Sequence, residues 1–209
     1  MIFIILGSSG AGKGTQAKLL SQRFGNIPTI STGALLRIKF DENTKDGIEA
    51  EKYWGKGNWV PDKLMFKILG KRLADEDCEQ GFILDAFPRT LNQVRILDEY
   101  LAARSKRVDQ VIYLRVPEEE VITRMMERAK RDIQVFGKAR RDEDPAIIRE
   151  RLKSHRGTIE PILTEYAKRG ILLDIDGHRP IGEIHEDTMD HLRKNDFYHN
   201  HRNVKKDQT

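Results

Sequence analysis

MIFIILGSSGAGKGTQ, residues 1–16, joins an apolar run to a glycine-rich loop, and apolar residues at helical spacing follow it. A strand, a glycine-rich loop and a helix in this order are the context that a phosphate-binding loop requires. Glycines lack a Cβ, so successive backbone N–H groups can turn toward phosphate oxygens. The helix N-terminus and Lys13 add positive charge at the same place. The stretch therefore predicts a nucleotide site.

One position departs from the usual phosphate-loop pattern. Gly14 follows Lys13, and the hydroxyl arrives one residue later, at Thr15. The alternative interpretation is a glycine-rich turn that binds nothing. The placement of a lysine and a threonine directly after the loop favours nucleotide binding.

Composition restricts the class of protein. The chain has 209 residues, of which 33% are charged and 38% hydrophobic, as is typical of a soluble α/β domain. The 37 basic and 33 acidic residues nearly balance, which does not by itself argue for nucleic acid, and small anionic molecules would explain the charge equally well. No run approaches the ~20 apolar residues that a membrane helix needs, so we expect small-molecule partners and neither nucleic acid nor membrane. Cys78 is the single cysteine, which excludes an intramolecular disulfide and a cysteine-built zinc site. We expect a cytoplasmic monomer.

Apolar, β-branched runs alternate with amphipathic stretches along the chain. The predicted strands are residues 2–6, 29–31, 82–85, 110–116 and 171–175, and the predicted helices include 62–74, 91–101, 118–131 and 145–168. Continuous apolar strands separated by helices predict a doubly wound, five-stranded parallel sheet with ligands at the carboxyl ends of its strands. Residues 32–60 and 129–144 fit the sheet poorly, and both follow predicted strands. We expect them to be insertions that close over a ligand.

Further motifs carry a resemblance to a known family. They are ISTGALLR (residues 30–37), GNWVPD (57–62), GFILDAFPRT (81–90) with Gln93, and DGHRP (176–180). Together with the glycine-rich loop, they resemble the adenylate kinase family of P-loop nucleoside monophosphate kinases over nearly the whole chain. The run from Asp85 to Arg89, combined with Gln93, is the most specific of them.

The resemblance implies reversible transfer of the γ-phosphoryl group of Mg-ATP to AMP, giving two ADP. It also implies a core P-loop domain of residues 1–31, 61–127 and 141–195, with two small mobile insertions. These are an NMP-binding flap at 32–60 and a lid at 128–140. The lid contains no cysteine, so we expect no zinc in it, and we expect residues 196–209 to be a disordered tail.

Phosphoryl transfer between two polyanions depends on cationic clamps, for which arginine is suited because its planar fork binds phosphate at two points. The resemblance implies that the catalytic residues are Lys13, Arg89, Arg128, Arg140 and Arg151. It implies ATP binding by Gly10, Ala11, Gly12, Lys13, Gly14, Thr15, Arg124, Arg128 and Arg179. It implies AMP binding by Thr32, Arg37, Asn58, Trp59, Val60, Ala86, Phe87, Arg89, Gln93, Arg140 and Arg151. Asp85 is expected to face Mg²⁺ through water. We interpret Arg131 as part of a solvated basic face.

Three residues depart from the family pattern. Ala34 stands where the family usually has an aspartate, Ala86 replaces a glycine, and Trp59 is bulkier than the usual aliphatic residue. These departures leave two alternatives open. One is a kinase for another acceptor, such as CMP, UMP or a deoxynucleotide, and the other is a nucleotide-binding regulator with low turnover.

Overall fold

A computed structural model describes residues 1–137 and 144–194, which form an α/β fold around one parallel sheet. The strands are β1 (Ile2–Leu6), β2 (Thr29–Ser31), β3 (Phe82–Asp85), β4 (Gln110–Arg115) and β5 (Leu172–Asp176), in the spatial order β2-β3-β1-β4-β5. The predicted clamp residue Arg140, part of the predicted lid and the predicted tail lie outside the described residues.

The central strand β1 explains why the sequence begins with an unbroken apolar run. Ile2, Ile4 and Leu6 face one core cluster, and Phe3 and Ile5 face the other. All five side chains are at most 2% exposed. A strand in the middle of a parallel sheet is covered on both faces, so every position favours an apolar residue.

Within the described residues, eight α-helices surround the sheet. They are α1 (Lys13–Arg23), α2 (Thr32–Asp41), α3 (Lys45–Trp54), α4 (Asp62–Leu73), α5 (Leu91–Ala102), α6 (Glu118–Phe136), α7 (Pro145–Lys168) and α8 (Ile181–Lys194). Helices α1 and α8 cover one face of the sheet, and α4, α5 and α7 cover the other. None of the described helices has the length and apolar character needed to cross a membrane.

The predicted fold class is confirmed, and most predicted elements end within one residue of the observed ones. Two helices differ. Helix α6 continues to Phe136, where the prediction ended at 131, and stops at Gly137, whose φ of +73° is typical of a helix C-terminus. The first residues of the predicted lid therefore continue α6. Helix α8, with Ile184 and Leu192 buried against the sheet, was not predicted.

The segment predicted as a flap contains a helical pair, α2 and α3. Thr44 caps α3 by accepting a hydrogen bond from the Gly47 backbone N–H at 3.0 Å. Gly47 lies at the crossing of the pair, where a Cβ would come within 2.1 Å of the Lys39 carbonyl oxygen. The loop after α3 then leads to α4, which begins at Asp62.

The chain leaves β3 through a residue in an unusual backbone conformation. Ala86, directly after Asp85, has a φ of +63°, in the left-handed region that favours glycine. Its carbonyl accepts hydrogen bonds from the Thr32 hydroxyl at 3.2 Å and from Arg89 Nε at 2.8 Å. These bonds hold the residue in the conformation its side chain disfavours.

We expect Ala86→Gly to raise the free energy of unfolding slightly, measured by urea denaturation. Relief of about 1–2 kcal/mol of left-handed strain exceeds the roughly 0.5–1 kcal/mol of backbone entropy that a glycine loses. The matched control is Ala167→Gly at an exposed position in the last turn of α7, which we expect to lose up to about 1 kcal/mol. Equal losses in both variants would contradict a strained Ala86.

Candidate active site

A polar cavity of about 470 Å³ opens beside the glycine-rich loop, at the carboxyl ends of β1 and β3. Seven basic side chains line it, from α1, α2, α6, α7 and the loop after β3: Lys13, Arg37, Arg89, Arg124, Arg128, Arg131 and Arg151. Among the described residues that line the cavity, Asp85 is the only acidic one. Such an excess of positive charge suits a polyanionic ligand.

The glycine-rich loop has the backbone that its sequence predicts. Gly10 and Gly12 have φ values of +87° and +90°, and a Cβ on Gly10 would lie 3.0 Å from the Met125 side chain. Helix α1 begins at Lys13 with Gly12 as its N-cap, and no side chain caps it. An uncapped helix N-terminus beside a glycine-rich loop attracts phosphate through its N–H groups.

Lys13 is buried at the base of the cavity, with 8% of its surface exposed. Its Nζ donates a hydrogen bond to the Ser8 carbonyl at 2.8 Å. Burial lowers the pKa of Lys13 to about 8, and the charges of Arg89, Arg128 and Arg151 act in the same direction, while Asp85 opposes them. A bound phosphate would place a compensating negative charge beside the Lys13 ammonium group and stabilise its charged form.

Asp85 ends β3 beside the first turn of α1. A Cβ placed on Gly14 would lie 4.0 Å from Asp85 Oδ2, and Asp85 Oδ1 is buried with no hydrogen-bond partner among the described residues. An unsatisfied carboxylate oxygen next to a phosphate-binding loop fits a hydrated divalent cation. The described residues contain no group of three histidine, cysteine or acidic side chains that could hold a metal by themselves.

Arg89 links this cavity to a second, smaller pocket. Its guanidinium lies 4.2 Å from the centroid of the Trp59 ring, and its backbone N–H donates to Gln93 Oε1 at 2.7 Å. The second pocket, of about 30 Å³, is lined by Thr32, Leu36, Trp54, Asn58, Trp59, Val60, Met65, Phe87, Arg89 and Gln93.

The predicted AMP-binding residues are divided between the two spaces. Arg37, Ala86 and Arg151 line the larger cavity, Arg89 lines both, and the others that the structure describes line the smaller pocket. The prediction missed Leu36, Trp54 and Met65 in the smaller pocket. Each lies on a helix, and helical periodicity predicts that the residue is buried but does not show which cavity its side chain faces.

Gln93 has a structural role that the sequence did not suggest. It is 1% exposed, and its Nε2 donates to Asp62 Oδ1 at 2.8 Å while its Oε1 accepts from the Arg89 backbone. Asp62 also accepts from Thr90 and Asn92. The amide thus holds the loop after β3 against the start of α4. Its role in reading an acceptor base stays a prediction.

Helix α6 contributes three arginines to the wall of the cavity. Arg124 and Arg128, for which ATP binding stays a prediction, line this wall, and Arg131, which we interpreted as solvated, is exposed but lies along the same wall. Arg124 also donates to the Gly177 carbonyl at 3.2 Å, which ties α6 to the loop after β5. Arg179, in that loop, pairs with Asp187 and does not line the cavity.

His155 is a site residue that the sequence analysis missed. It lies on α7 in a pocket shared with Lys13, Trp59 and Arg89, and its Nε2 is buried without a hydrogen-bond partner among the described residues. Burial, followed by the charges of Lys13 and Arg89, lowers the pKa of His155 to about 4, so the ring is neutral at neutral pH. A lone histidine in a helical pattern gives no signal of such a position.

Comparison with known proteins identifies the family. The adenylate kinase family model matches residues 5–171. Relatives named adenylate kinase include a Pseudarthrobacter chlorophenolicus protein, 40% identical over 91% of this chain and 95% of the relative. Others are from Archaeoglobus fulgidus, 39% identical over 93% and 99%, and Bifidobacterium longum, 41% identical over 92% and 100%. The resemblance seen in the motifs is confirmed, and the chain belongs to the adenylate kinase family.

Proposed function

We propose that the chain, an ATP-dependent nucleoside monophosphate kinase, transfers the γ-phosphoryl group of Mg-ATP reversibly to AMP and forms two ADP. One observation carries this proposal. The cationic cavity of about 470 Å³ is joined through Arg89 to a smaller, largely apolar pocket. A donor triphosphate and an acceptor monophosphate both need cationic walls, while the acceptor base needs an apolar one.

The reaction depends on gathering positive charge around the phosphoryl group in flight. That group spreads negative charge over its three equatorial oxygens, so positioned cations stabilise it more than any covalent step. A monophosphate oxygen is already a nucleophile, so no general base is needed. The neutral His155 in the adjoining pocket is consistent with chemistry that moves no proton.

On the donor side, we assign the backbone N–H groups of residues 10–15 to the phosphates of ATP. Lys13 would hold the β- and γ-phosphates and follow the moving group. Arg124 and Arg179 would contact the rest of ATP, supported by the hydrogen bond between Arg124 and the loop that contains Arg179. Asp85 would hold Mg²⁺ through water, and the ion would neutralise charge on the β- and γ-phosphates. Ala34 offers no second carboxylate.

On the acceptor side, Arg37 and Arg89 would grip the monophosphate. Arg128 and Arg151 would close on the transferring group, together with Arg140, which lies outside the described residues. The base would occupy the smaller pocket, contacted by Thr32, Phe87, Gln93 and the backbone of residues 58–60. That pocket is only about 30 Å³, so the base can enter only if its walls move.

This size supports the proposed mobile insertions, a flap at 32–60 and a lid at 128–140. Opening admits two nucleotides separately, and closure then excludes water, which would otherwise accept the phosphoryl group. We further propose that small nucleotides are the partners, that neither nucleic acid nor a membrane is involved, and that the protein is a cytoplasmic monomer. The near balance of 37 basic and 33 acidic residues gives no reason to expect nucleic acid.

The experiment that tests the proposal is product analysis with Mg-ATP and AMP, dAMP, CMP, UMP or GMP supplied separately. We expect diphosphate formation at enzyme-like rates with AMP and dAMP only. Faster turnover of pyrimidines would assign the acceptor pocket to another nucleotide. Binding of ATP without turnover of any acceptor would favour the low-turnover regulator.

Lys13→Ala and Arg89→Ala should each lower kcat/KM by about 10²–10³-fold or more, because each removes a cation that contacts the transferring or accepting phosphate. Circular dichroism and thermal unfolding should show a retained fold. The matched controls are Lys18→Ala on α1 and Arg95→Ala on α5, both exposed and outside the cavity. Near-normal activity in either site variant would contradict the assignment.

The affinity for Mg-ATP should fall as the pH rises above 8. The unliganded Lys13 has a pKa of about 8, whereas bound phosphate would raise it, so binding at higher pH takes up a proton. We expect affinity to weaken about tenfold per pH unit between roughly pH 8.5 and 9.5. Calorimetry in two buffers of different ionisation enthalpy measures the proton uptake. Lys13→Arg should abolish the uptake, and a flat wild-type profile would contradict a titrating Lys13.

A further inference from the structure

Trp59 bridges two elements of the site through its side chain. It lies in the loop between α3 and α4, and its ring covers the Arg89 guanidinium at 4.2 Å. Its Nε1 donates to Thr158 Oγ1 on α7 at 3.4 Å, and that hydroxyl donates onward to the Ser154 carbonyl at 3.1 Å. The indole is thus anchored at its Nε1 edge, while its face meets the arginine.

Arg89 is constrained from two directions. Its Nε–H donates in the guanidinium plane to the Ala86 carbonyl at 2.8 Å, while the indole covers one face of that plane. An in-plane hydrogen bond and a stacked ring together define the tilt and rotation of a flat cation. An unconstrained arginine loses side-chain entropy when it is ordered. An arginine already held in place loses less on binding.

Building on the proposed function, we propose that Trp59 is a positioning residue for Arg89. The indole holds the guanidinium ready for the phosphate of the acceptor nucleotide, and Thr158 anchors the indole. The sequence analysis assigned Asn58, Trp59 and Val60 to AMP binding, and the proposed function places the backbone of residues 58–60 against the acceptor base. The structure adds a separate role for the Trp59 side chain, which acts on the acceptor phosphate through Arg89 rather than on the base.

The first test separates effects on the two substrates. Trp59→Leu should raise the KM for AMP about 2- to 30-fold, the range expected for losing an arginine–aromatic contact, and leave the KM for ATP within about twofold. Trp59→Phe keeps a flat ring but loses the Nε1 donor to Thr158, so it should recover only part of the loss. Thr158→Val keeps the shape but removes the acceptor for Nε1, and should give an intermediate AMP effect. An unchanged KM for AMP in Trp59→Leu would overturn the inference.

A second arginine–aromatic pair provides the control. Arg104 lies 3.7 Å from the Tyr100 ring centroid, outside both cavities. Tyr100→Leu removes the same kind of contact and partly buried ring area, so it should lower the melting temperature without changing the KM for AMP. A rise in that KM equal to the one in Trp59→Leu would show that general destabilisation explains both, against the proposal.

A double-mutant cycle tests whether Trp59 acts through Arg89. We expect Trp59→Leu to weaken AMP binding, measured by calorimetry, in the wild-type background but by less than twofold in an Arg89→Ala background. An equal loss in both backgrounds would mean that the indole contacts the nucleotide directly. A wild-type chain that neither binds nor phosphorylates AMP would overturn the proposed function and this inference together. If the wild-type chain is active but Trp59→Leu weakens AMP binding equally with and without Arg89, only the inference about Trp59 is overturned.

Discussion

The candidate active site depends on holding many positive charges together at one end of a parallel sheet. Seven basic side chains line a single cavity, and the buried Lys13 among them has a pKa lowered to about 8. Mutual repulsion and burial make this arrangement costly until a polyanion enters. The glycine-rich loop, the uncapped start of α1 and the buried sheet beneath them keep the charges in position. The free energy of folding thus offsets the repulsion among these cations, and a bound polyanion would relieve it.

Arg89 is the point at which the two halves of the site meet. Ala86, Gln93 and Trp59 each contact a different part of it: the carbonyl oxygen of Ala86 meets its Nε, the amide of Gln93 meets its backbone, and the indole of Trp59 meets its guanidinium. Two of these residues, Ala86 and Trp59, are among the chain's three departures from the family pattern, and the third, Ala34, lies on α2. The alanine occupies a left-handed conformation, and the tryptophan replaces a smaller side chain. Two of the three departures therefore contact one arginine.

Much of the fold was accessible from sequence because buried parallel strands read as continuous apolar runs. The five strands, the loop at residues 7–16 and most helices follow from local pattern alone. Helix α8 was missed although its buried Ile184, Thr188 and Leu192 recur every four residues, so the helical pattern was present in the sequence. The position of His155 and the exposed but cavity-lining Arg131 were inaccessible, since a helical period does not show which neighbour a face meets.

The sequence by itself determined the sheet, the phosphate-binding loop and the family, because each depends on residue types at short, regular spacing. Only the tertiary structure decided the arrangement of side chains from distant segments. It brought Trp59, Arg89 and Thr158 together from three different segments. It also paired the amide of Gln93 with Asp62 through a hydrogen bond. One oxygen of Asp85 has no hydrogen-bond partner among the described residues. Contacts between residues far apart in sequence depend on how helices pack on the sheet, and packing is set by shape complementarity over the whole core.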